Sequence, residues 1–340
     1  MAPARGGAAS IADAGADGSV PWSAILAAAV TQPEELARRL GLDAAAVSAS
    51  AAAGFRVRVP EPYLARIRPG DARDPLLLQV MPTAAELIEA AGFTCDPVGE
   101  SQCASAPGVL RKYAGRVLLV TTGACAVHCR YCFRRHYPYD DLPRGREWWG
   151  GALALIAADP GLEEVLLSGG DPLTLPDSLL ARLAGDLAGI AHVRRLRVHT
   201  RLPIVIPQRV DAALLRWLAG TRLQPVVVVH ANHPAEIDAA CAAALRRMRE
   251  AGITVLNQSV LLAGVNDDEA VLAELSRRLF DAGCLPYYLH ALDPVAGAAH
   301  FLVADDRARA IHAQLAARLP GYLVPRLVRE IPGAAGKLPL

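Results

Sequence analysis

Strand-like and helix-like segments alternate over residues 116–318, and this alternation restricts the fold more strongly than any other feature of the chain. Short runs rich in Val, Leu and Ile alternate with longer stretches that have helical apolar spacing. The strand candidates are 116–121, 164–168, 194–199, 226–230, 253–262 and 286–290. The helix candidates lie near 149–158, 176–188, 209–219, 234–251, 267–282 and 304–318. The pattern predicts an α/β fold with a parallel sheet and right-handed crossovers.

The number of repeating units narrows the architecture further. Six strand–helix units are too few for a closed eight-stranded barrel, so we predict an open, partial (β/α)6 barrel. In such folds the carboxyl ends of the strands carry the functional site. The polar residues follow this rule: a cysteine-rich loop comes after the first strand, Gly169-Gly-Asp171 after the second, and His199 and His230 end the third and fourth.

The chain divides into four predicted regions. Residues 1–20, rich in Ala, Gly and Ser, lack the basic and apolar segments of a signal peptide and are predicted to be a disordered leader. Residues 21–110 contain short helical patterns broken by prolines and form a predicted helical N-terminal region. The barrel is predicted over 111–320, followed by a C-terminal segment over 321–340.

Composition excludes several classes of function. The 340 residues are 53% hydrophobic, which is ample for a large core, and the formal net charge is only +1. The chain has no long basic run, so nucleic-acid binding is not expected. No apolar stretch reaches the roughly 18 residues that a membrane span needs, so no membrane association is expected. The uneven spacing of the cysteines fits a reducing cytoplasm.

A cysteine motif marks the predicted site. Cys125, Cys129 and Cys132 have the spacing C-x3-C-x2-C in one loop after the first strand, and Tyr131 precedes the last cysteine. Three thiolates can hold three irons of a 4Fe–4S cluster and leave the fourth iron open for chemistry. This pattern resembles that of the radical S-adenosylmethionine (radical SAM) enzymes, in which SAM chelates the open iron.

Zinc is the alternative ligand for this loop. A structural zinc site usually takes four ligands, often as two well-separated pairs. His128 is available as a fourth ligand, but its position between two of the cysteines would strain a tetrahedron. A disulfide is disfavoured because three is an odd number and the chain has no visible secretion signal. The open cluster is therefore the favoured interpretation.

Two further motifs lie near the cysteines. Ser168-Gly-Gly-Asp-Pro172 follows the second strand; its glycines allow a ligand to approach the backbone, and Asp171 can accept a hydrogen bond from an ammonium group. In this position it resembles the radical SAM motif that contacts the SAM amino group. Arg134 and Arg135 follow the last cysteine, and an arginine offers a bidentate fork to a carboxylate.

Lysine is rare in this chain. Of the 35 basic residues only Lys112 and Lys337 are lysines. A lysine retained against this bias can serve where arginine cannot, for example by forming a Schiff base. Lys337 follows a loop of small residues in which backbone amides could contact a phosphate. On its local sequence alone, a solvated terminal lysine is the simpler interpretation.

Taken together, these motifs resemble the lysine 2,3-aminomutase family over nearly all of Tyr113 to Leu340. The matching stretches are 125–136, 168–172, 201–209, 230–236, 256–262, 286–290, 297–301 and 336–340. The Cys-Arg-Tyr-Cys-Phe-Arg-Arg-His loop and the Val-Arg-Glu-Ile run at 328–331 resemble the bacterial branch that isomerises lysine for the β-lysylation of elongation factor P.

The resemblance implies a partial radical SAM barrel, and an isomerase that moves the α-amino group of L-lysine to the β-carbon. The implied cofactors are a 4Fe–4S cluster, SAM and pyridoxal 5′-phosphate (PLP). The assigned residues are Cys125, Cys129 and Cys132 for the cluster; Gly169, Gly170, Asp171 and Gln258 for SAM; Lys337, as the catalytic residue, for PLP; and Arg134, Asp293 and Glu330 for the substrate. Relatives active on free lysine commonly carry Asp where this chain has Glu330.

The same resemblance implies a cytoplasmic enzyme that forms (R)-β-lysine. Its implied partners are a reductant protein and a ligase that attaches the product to elongation factor P, and a homo-oligomer is compatible with it. Two alternatives stay open at this stage. One is an aminomutase for free-lysine catabolism or for another amino acid, and the other is a non-catalytic iron–sulfur protein.

Overall fold

The computed structural model describes residues 20–43, 47–142 and 148–340. The predicted leader therefore lies, apart from Val20, outside the described residues. The helices are α1 Trp22–Ala27, α2 Pro33–Arg39, α3 Ala49–Gly54, α4 Glu61–Leu64, α5 Pro75–Leu78, α6 Trp148–Ala158, α7 Asp177–Ala188, α8 Leu202–Val205, α9 Ala212–Ala219, α10 Ala239–Glu250, α11 Glu269–Asp281 and α12 Asp305–Arg318. The strands are β1 Ala104–Ala106, β2 Val109–Leu110, β3 Arg116–Thr122, β4 Glu164–Gly169, β5 Arg195–Thr200, β6 Gln224–Val229, β7 Thr254–Val260, β8 Leu285–His290, β9 Arg326–Arg329 and β10 Leu338–Pro339.

The strands form one ten-stranded sheet whose spatial order follows the chain order. β3 to β9 are parallel to one another, whereas β1, β2 and β10 add to the two edges in antiparallel fashion. The pairing runs from β1 to β10 without returning, so the described sheet is open. All six predicted strands and the predicted helices between them are present, which confirms the α/β class.

The sheet is larger than the sequence predicts. β9 is a seventh parallel strand, and it pairs with β8 inside the region predicted only as a C-terminal segment. β1 and β2 form a small hairpin at the end of the predicted helical region. These elements contain only two to four residues, which is too short for a periodic pattern to show.

Side-chain caps explain where several crossover helices begin. Asp211, Asp238 and Asp268 precede α9, α10 and α11, and each carboxylate accepts hydrogen bonds from the first-turn backbone amides of its helix. Such caps satisfy donors that lack an intrahelical partner. The helices therefore start at defined residues. Because each of them follows a parallel strand along the chain, the strand ends that face the site are also well defined.

The N-terminal helices share a core with the sheet. One continuous apolar cluster contains residues of both, including Leu36 and Tyr63 from the N-terminal region and Leu119 from β3. A second cluster packs α11 and α12 against the far end of the sheet through Leu272, Ile311 and neighbouring residues. Over the described ranges, no helix has both the length and the apolar character needed to cross a bilayer.

Candidate active site

The three loop cysteines line a cavity of about 540 Å³ at the carboxyl ends of the parallel strands. The loop that carries them is attached to the N-terminal region through its backbone. The amide of His128 donates to the carbonyl of Arg58, and the amide of Arg130 donates to the carbonyl of Gln79. Because these bonds come from residues distant in sequence, the loop conformation depends on the fold and not on the motif alone.

Burial favours the protonated thiols of Cys125 and Cys132 in the absence of a cation. It raises the pKa of Cys132 to about 11, with the neighbouring Cys129 adding to the shift, and it raises the pKa of Cys125 well above its ordinary value. A bound metal ion reverses this preference, since thiolates and not thiols are metal ligands. The site is therefore suited to a cationic cofactor that supplies the compensating charge.

The cysteines are not arranged around a single ion. Within the described ranges, no set of three or more His, Cys, Asp or Glu side chains is placed to hold one metal ion. A 4Fe–4S cluster requires a different arrangement, because each cysteine binds its own iron. The three cysteines of the loop provide one such ligand each.

Gly169 and Gly170 are needed for contact between two parts of the backbone. A Cβ on Gly170 would lie 2.3 Å from the carbonyl oxygen of Ala124, and one on Gly169 would lie 2.6 Å from that of Thr122. The amide of Gly170 donates to the Thr122 oxygen over 2.7 Å. The sequence predicts that these glycines let a ligand approach, and the structure shows that they also make room for the backbone that leads into the cysteine loop.

Asp171 already has a full set of partners. Its Oδ1 accepts from Thr200 Oγ1 at 2.7 Å and from the amide of Leu173, and its Oδ2 accepts from the amides of Arg201 and Leu202. Burial raises the pKa of this carboxyl, although the four donors oppose the shift. Asp171 joins the ends of β4 and β5, so a SAM ammonium group would have to compete with these internal donors.

Arg134 is similarly engaged. Its Nε and Nη2 donate to the two carboxylate oxygens of Glu100 at 2.7 Å each, and its Nη1 donates to Ser168 Oγ at 2.9 Å. Burial alone would lower the pKa of Arg134, but the charge of Glu100 outweighs it and raises the pKa. A substrate carboxylate must therefore share or displace Glu100. The sequence gives no signal for Glu100, which lies in the N-terminal region.

The C-terminal hairpin places Lys337 in the cavity. β10 pairs with β9, so the loop between them returns Lys337 to Glu330, and Lys337 Nζ donates to Glu330 Oε2 at 2.6 Å. Lys112, the other lysine of the chain, donates to Glu330 Oε1 at 2.7 Å. The two lysines outweigh the effect of burial and lower the pKa of Glu330 to about 2. The interpretation of Lys337 as a solvated terminal lysine is wrong.

Asp293 has the opposite environment. It lies just beyond β8, and its Oδ1 is buried without a hydrogen-bond partner among the described residues. Burial, with a contribution from the charge of Glu330, raises its pKa to about 7. Asp293 thus lines the cavity, and one of its two carboxylate oxygens has no hydrogen-bond partner among the described residues.

Three histidines face the same cavity. His199, His230 and His290 lie at or next to the ends of β5, β6 and β8, and burial lowers the pKa of each, that of His230 to about 3. Gln258 Nε2 lies 2.7 Å from His230 Nε2. The Nε2 atoms of His199 and His290 have no partner among the described residues. These neutral imidazoles can exchange hydrogen bonds with a ligand.

The cavity therefore brings together every residue assigned from the sequence. They come from six separate stretches of chain: Cys125, Cys129, Cys132, Arg134, Gly169, Gly170, Asp171, Gln258, Asp293, Glu330 and Lys337. Glu100, Lys112, His290 and Arg201 line it as well and were not predicted as site residues. His290 could have been found, because it ends a predicted strand just as His199 does.

Comparison with known proteins identifies the family. The chain is 48% identical to the L-lysine 2,3-aminomutase of Haemophilus influenzae over 93% of this chain and 94% of that protein. It is also 48% identical to the L-lysine 2,3-aminomutase of Escherichia coli over 94% of each chain, and 37% identical to that of Clostridium subterminale over 84% of this chain and 69% of the other. The chain belongs to the lysine 2,3-aminomutase family. A comparison with protein-family profiles gave no match.

Lysine 2,3-aminomutases are isomerases, which confirms the predicted enzyme class over the non-catalytic alternative. They use a 4Fe–4S cluster, SAM and PLP, so the predicted cofactors are also confirmed. Among solved structures, a radical SAM methyltransferase from Sphaerobacter thermophilus matches with a TM-score of 0.45 and 22% identity, over 67% of this chain and 72% of that one.

The cavity fits the cofactors of a lysine 2,3-aminomutase. Polar atoms on Asp293, His199 and His290 have no hydrogen-bond partner among the described residues and are available to a ligand, since buried polar groups are normally hydrogen-bonded. Lys112 and Arg116 add the positive charge that a phosphate group requires. The volume of about 540 Å³ lies within the usual range for small-molecule sites.

Proposed function

We propose that this protein converts L-α-lysine to (R)-β-lysine by 2,3-amino migration. The observation that carries the proposal is the convergence on one cavity of the cysteine loop after β3, Lys337 before β10, and Asp293, whose Oδ1 has no partner in the part of the chain that the structure describes. We further propose that β3 to β8 with their helices form a partial radical SAM barrel, to which β9 adds a seventh strand.

Each cofactor is assigned to residues of this cavity. Cys125, Cys129 and Cys132 hold the cluster; Gly169, Gly170, Asp171 and Gln258 bind SAM; and Lys337 binds PLP. When bound, the cluster and SAM supply the radical chemistry that breaks an unactivated C–H bond, while PLP carries the migrating amino group. Because four internal donors already occupy Asp171, the SAM ammonium group would share the Asp171 carboxylate with them.

The substrate is held at its two ends. Arg134 attracts the carboxylate of lysine, and Ser168 beside it offers a further polar group. Asp293 takes the distal ammonium, because its Oδ1 is buried with no partner in the described ranges, and such an oxygen gains most from a cation. Glu330 contributes less to binding this ammonium than the sequence suggests, because Lys112 and Lys337 already neutralise its charge.

Protein groups also control protonation near Lys337. Glu330, with a pKa of about 2, stays ionised and holds the Lys337 ammonium, so it does not act as a base at neutral pH. Before its nitrogen can react with an aldehyde, Lys337 must give up a proton. The burial that keeps the neighbouring histidines neutral also shields this region from water, which protects reactive radicals.

Beyond the reaction, we propose that the enzyme is cytoplasmic and supplies β-lysine for the modification of elongation factor P. The support is the loop sequence Cys-Arg-Tyr-Cys-Phe-Arg-Arg-His and the run Val-Arg-Glu-Ile at 328–331. The proposed partners are a reductant protein and a ligase that transfers the product. Incubation of elongation factor P with the ligase and the purified product would test this, with a mass increase expected for β-lysine.

An anaerobic assay tests the catalytic proposal. Protein reconstituted with iron and sulfide is incubated with SAM, a strong reductant, PLP and L-lysine, and α-, (R)-β- and (S)-β-lysine are separated by chiral chromatography and mass spectrometry. We expect (R)-β-lysine from the wild type and from Cys95→Ala, whose cysteine is exposed outside the loop, and none from Cys129→Ala.

Each of the other outcomes of this assay would contradict a different part of the proposal. SAM cleavage without β-lysine would preserve the radical chemistry and contradict the assignment of the substrate. Neither product from protein that contains its cluster would contradict the aminomutase proposal as a whole.

A further inference from the structure

A charged side chain contacts one of the loop cysteines. Arg201 Nη1 donates a hydrogen bond to Cys129 Sγ over 2.8 Å. Arg201 follows β5, and both residues line the cavity. The donor therefore comes from a different part of the sheet than the cysteine loop.

The guanidinium of Arg201 is held in place by buried partners. Its Nη2 donates to Gln79 Oε1 at 2.7 Å and to Glu236 Oε2 at 2.8 Å. The backbone amide of Arg201 donates to Asp171 Oδ2 at 2.7 Å, and the ring of Tyr131 lies 5.8 Å from the guanidinium carbon. A side chain fixed at its backbone and at its tip cannot turn away from Cys129 without breaking several bonds.

Glu236 is equally constrained. It is fully buried, and its Oε1 accepts from the backbone amides of Asn232 at 2.8 Å and His233 at 3.1 Å. The charge of Arg201 overcomes burial and lowers the pKa of Glu236. The pair is therefore an ionised unit next to the cysteine loop.

We propose that Arg201, balanced by Glu236, positions the Cys129 thiolate and sets the reduction potential of the cluster. Reduction adds negative charge to a cluster and its thiolates, and a cationic donor stabilises the more negative state. Arg201 should thus raise the potential, and Glu236 should lower it by offsetting part of that charge. The inference rests on the proposed assignment of Cys129 to the cluster.

The test compares two variants with opposite expected signs. Full-length reconstituted wild type, Arg201→Gln and Glu236→Gln are titrated with reductant under anaerobic conditions without SAM or lysine, and the reduced cluster is followed by electron paramagnetic resonance. For Arg201→Gln we expect the ratio of reduced to oxidised cluster at a fixed potential to fall about three- to tenfold. A tenfold change corresponds to about 59 mV for a one-electron couple. For Glu236→Gln we expect this ratio to rise.

Arg209→Gln is the matched control. Arg209 is also fully buried and lies in the same stretch, but it pairs with Asp177 and the carbonyl of Leu173. We expect the cluster of Arg209→Gln to have the wild-type reduction potential, even if the variant is less stable than the wild type. Arg201→Lys, which keeps the charge but loses the planar fork, should lie between Arg201→Gln and the wild type.

The outcomes separate this inference from the proposed function. Unchanged reduction potentials in Arg201→Gln and Glu236→Gln, or shifts of the same sign in both, would overturn the role of the pair. The proposed function would still stand in that case, because the wild type would have been shown to bind its cluster. If Arg201→Gln assembles no cluster, the test rests on Glu236→Gln. A higher reduction potential in this variant would support the role of the pair, and an unchanged or lower one would contradict it. A wild type that binds no iron would overturn the proposed function, and this inference with it.

Discussion

Two carboxylates in the same cavity have opposite electrostatic environments. Glu330 is ionised between two lysines, whereas the Oδ1 of Asp293 is buried with no partner among the described residues, and the pKa of Asp293 is about 7. Pairs of titratable groups whose surroundings move their pKa values apart commonly divide the tasks of a site. Glu330 therefore orders the protein's own lysines, which is why we propose Asp293 as the acceptor for an ammonium group of the ligand.

The raised pKa of Asp293 makes a prediction about stability. The ordinary value is 3.8, so between about pH 4 and 7 the native state binds the proton that the unfolded state releases. The free energy of unfolding should fall as the pH rises through this window and level off above it. Asp293→Asn removes the penalty, so its advantage over the wild type should grow from pH 5 to pH 8.

Urea unfolding of the apoprotein at the two pH values measures this difference. The control is Asp306→Asn, since Asp306 is almost completely exposed on α12 and its replacement should leave the pH dependence unchanged. An equal gap between Asp293→Asn and the wild type at both pH values would contradict the assigned environment.

Asp293 also makes a prediction about substrate binding. Asp293→Ala should raise the KM for lysine by about 10²-fold or more, because it removes the charge that compensates a buried ammonium. For the wild type, KM should rise about tenfold for each pH unit below 7, as the carboxylate becomes protonated. Steady-state kinetics from pH 6 to 8 measure both effects. A KM that is independent of both changes would remove Asp293 from the substrate site.

At the scale of elements, the end of β4 supports the cysteine loop. The amides of Gly170 and Asp171 donate to the carbonyls of Thr122 and Ala124, each over 2.7 Å. This contact is backbone against backbone, and a close-packed interior cannot yield the space that a side chain would need. The second motif therefore acts on the first as its structural support.

Gly170→Ala tests this support. An added Cβ would lie 2.3 Å from the Ala124 oxygen, so the loop must move, and we expect a loss of about 2–4 kcal/mol in the free energy of unfolding together with reduced iron content. In the control Gly185→Ala, the Cβ meets nothing within 4 Å on α7, and stability should rise by about 1 kcal/mol. Denaturant unfolding and iron analysis measure the two effects. Normal iron content in Gly170→Ala would show that the contact is dispensable.

At the scale of the whole molecule, buried acids of the N-terminal region hold the arginines of the cysteine loop. Glu86 accepts from Arg130 Nη2 at 2.6 Å and from Arg135 Nη2 at 2.8 Å, and Glu100 engages Arg134. The N-terminal helices also share the apolar cluster of the sheet. We therefore expect the described residues to unfold as one cooperative unit.

Glu86→Gln tests this coupling. Removing one partner leaves buried guanidinium charge uncompensated, so the free energy of unfolding should fall by about 3–5 kcal/mol in a single transition. The control Glu61→Gln breaks the exposed pair with Arg39 and should cost less than about 1 kcal/mol. Calorimetry and fluorescence would detect a separate N-terminal transition, which would contradict the single unit.

The local sequence is sufficient to predict the strands, the crossover helices and the ligand motifs. Strands β3, β4 and β6 contain runs of buried Val and Leu, β5 and β7 alternate buried with less buried residues, and α7, α10 and α11 are amphipathic, so local patterns locate these elements. The cysteine motif and the glycine motif are contiguous in the chain, and their chemistry follows from residue type and spacing. These features need no knowledge of which distant residues meet.

Only the tertiary structure determines which residues that are distant in sequence contact one another. Arg201 meets Cys129 because parallel strands bring their carboxyl ends to one edge, whereas Glu100 and Lys112 reach Arg134 and Glu330 from segments that precede the parallel strands. β9 and β10 are too short for a periodic pattern, yet their pairing is what returns Lys337 to the cavity. The charge of each site residue depends on these neighbours and on burial, and neither can be read from a local pattern.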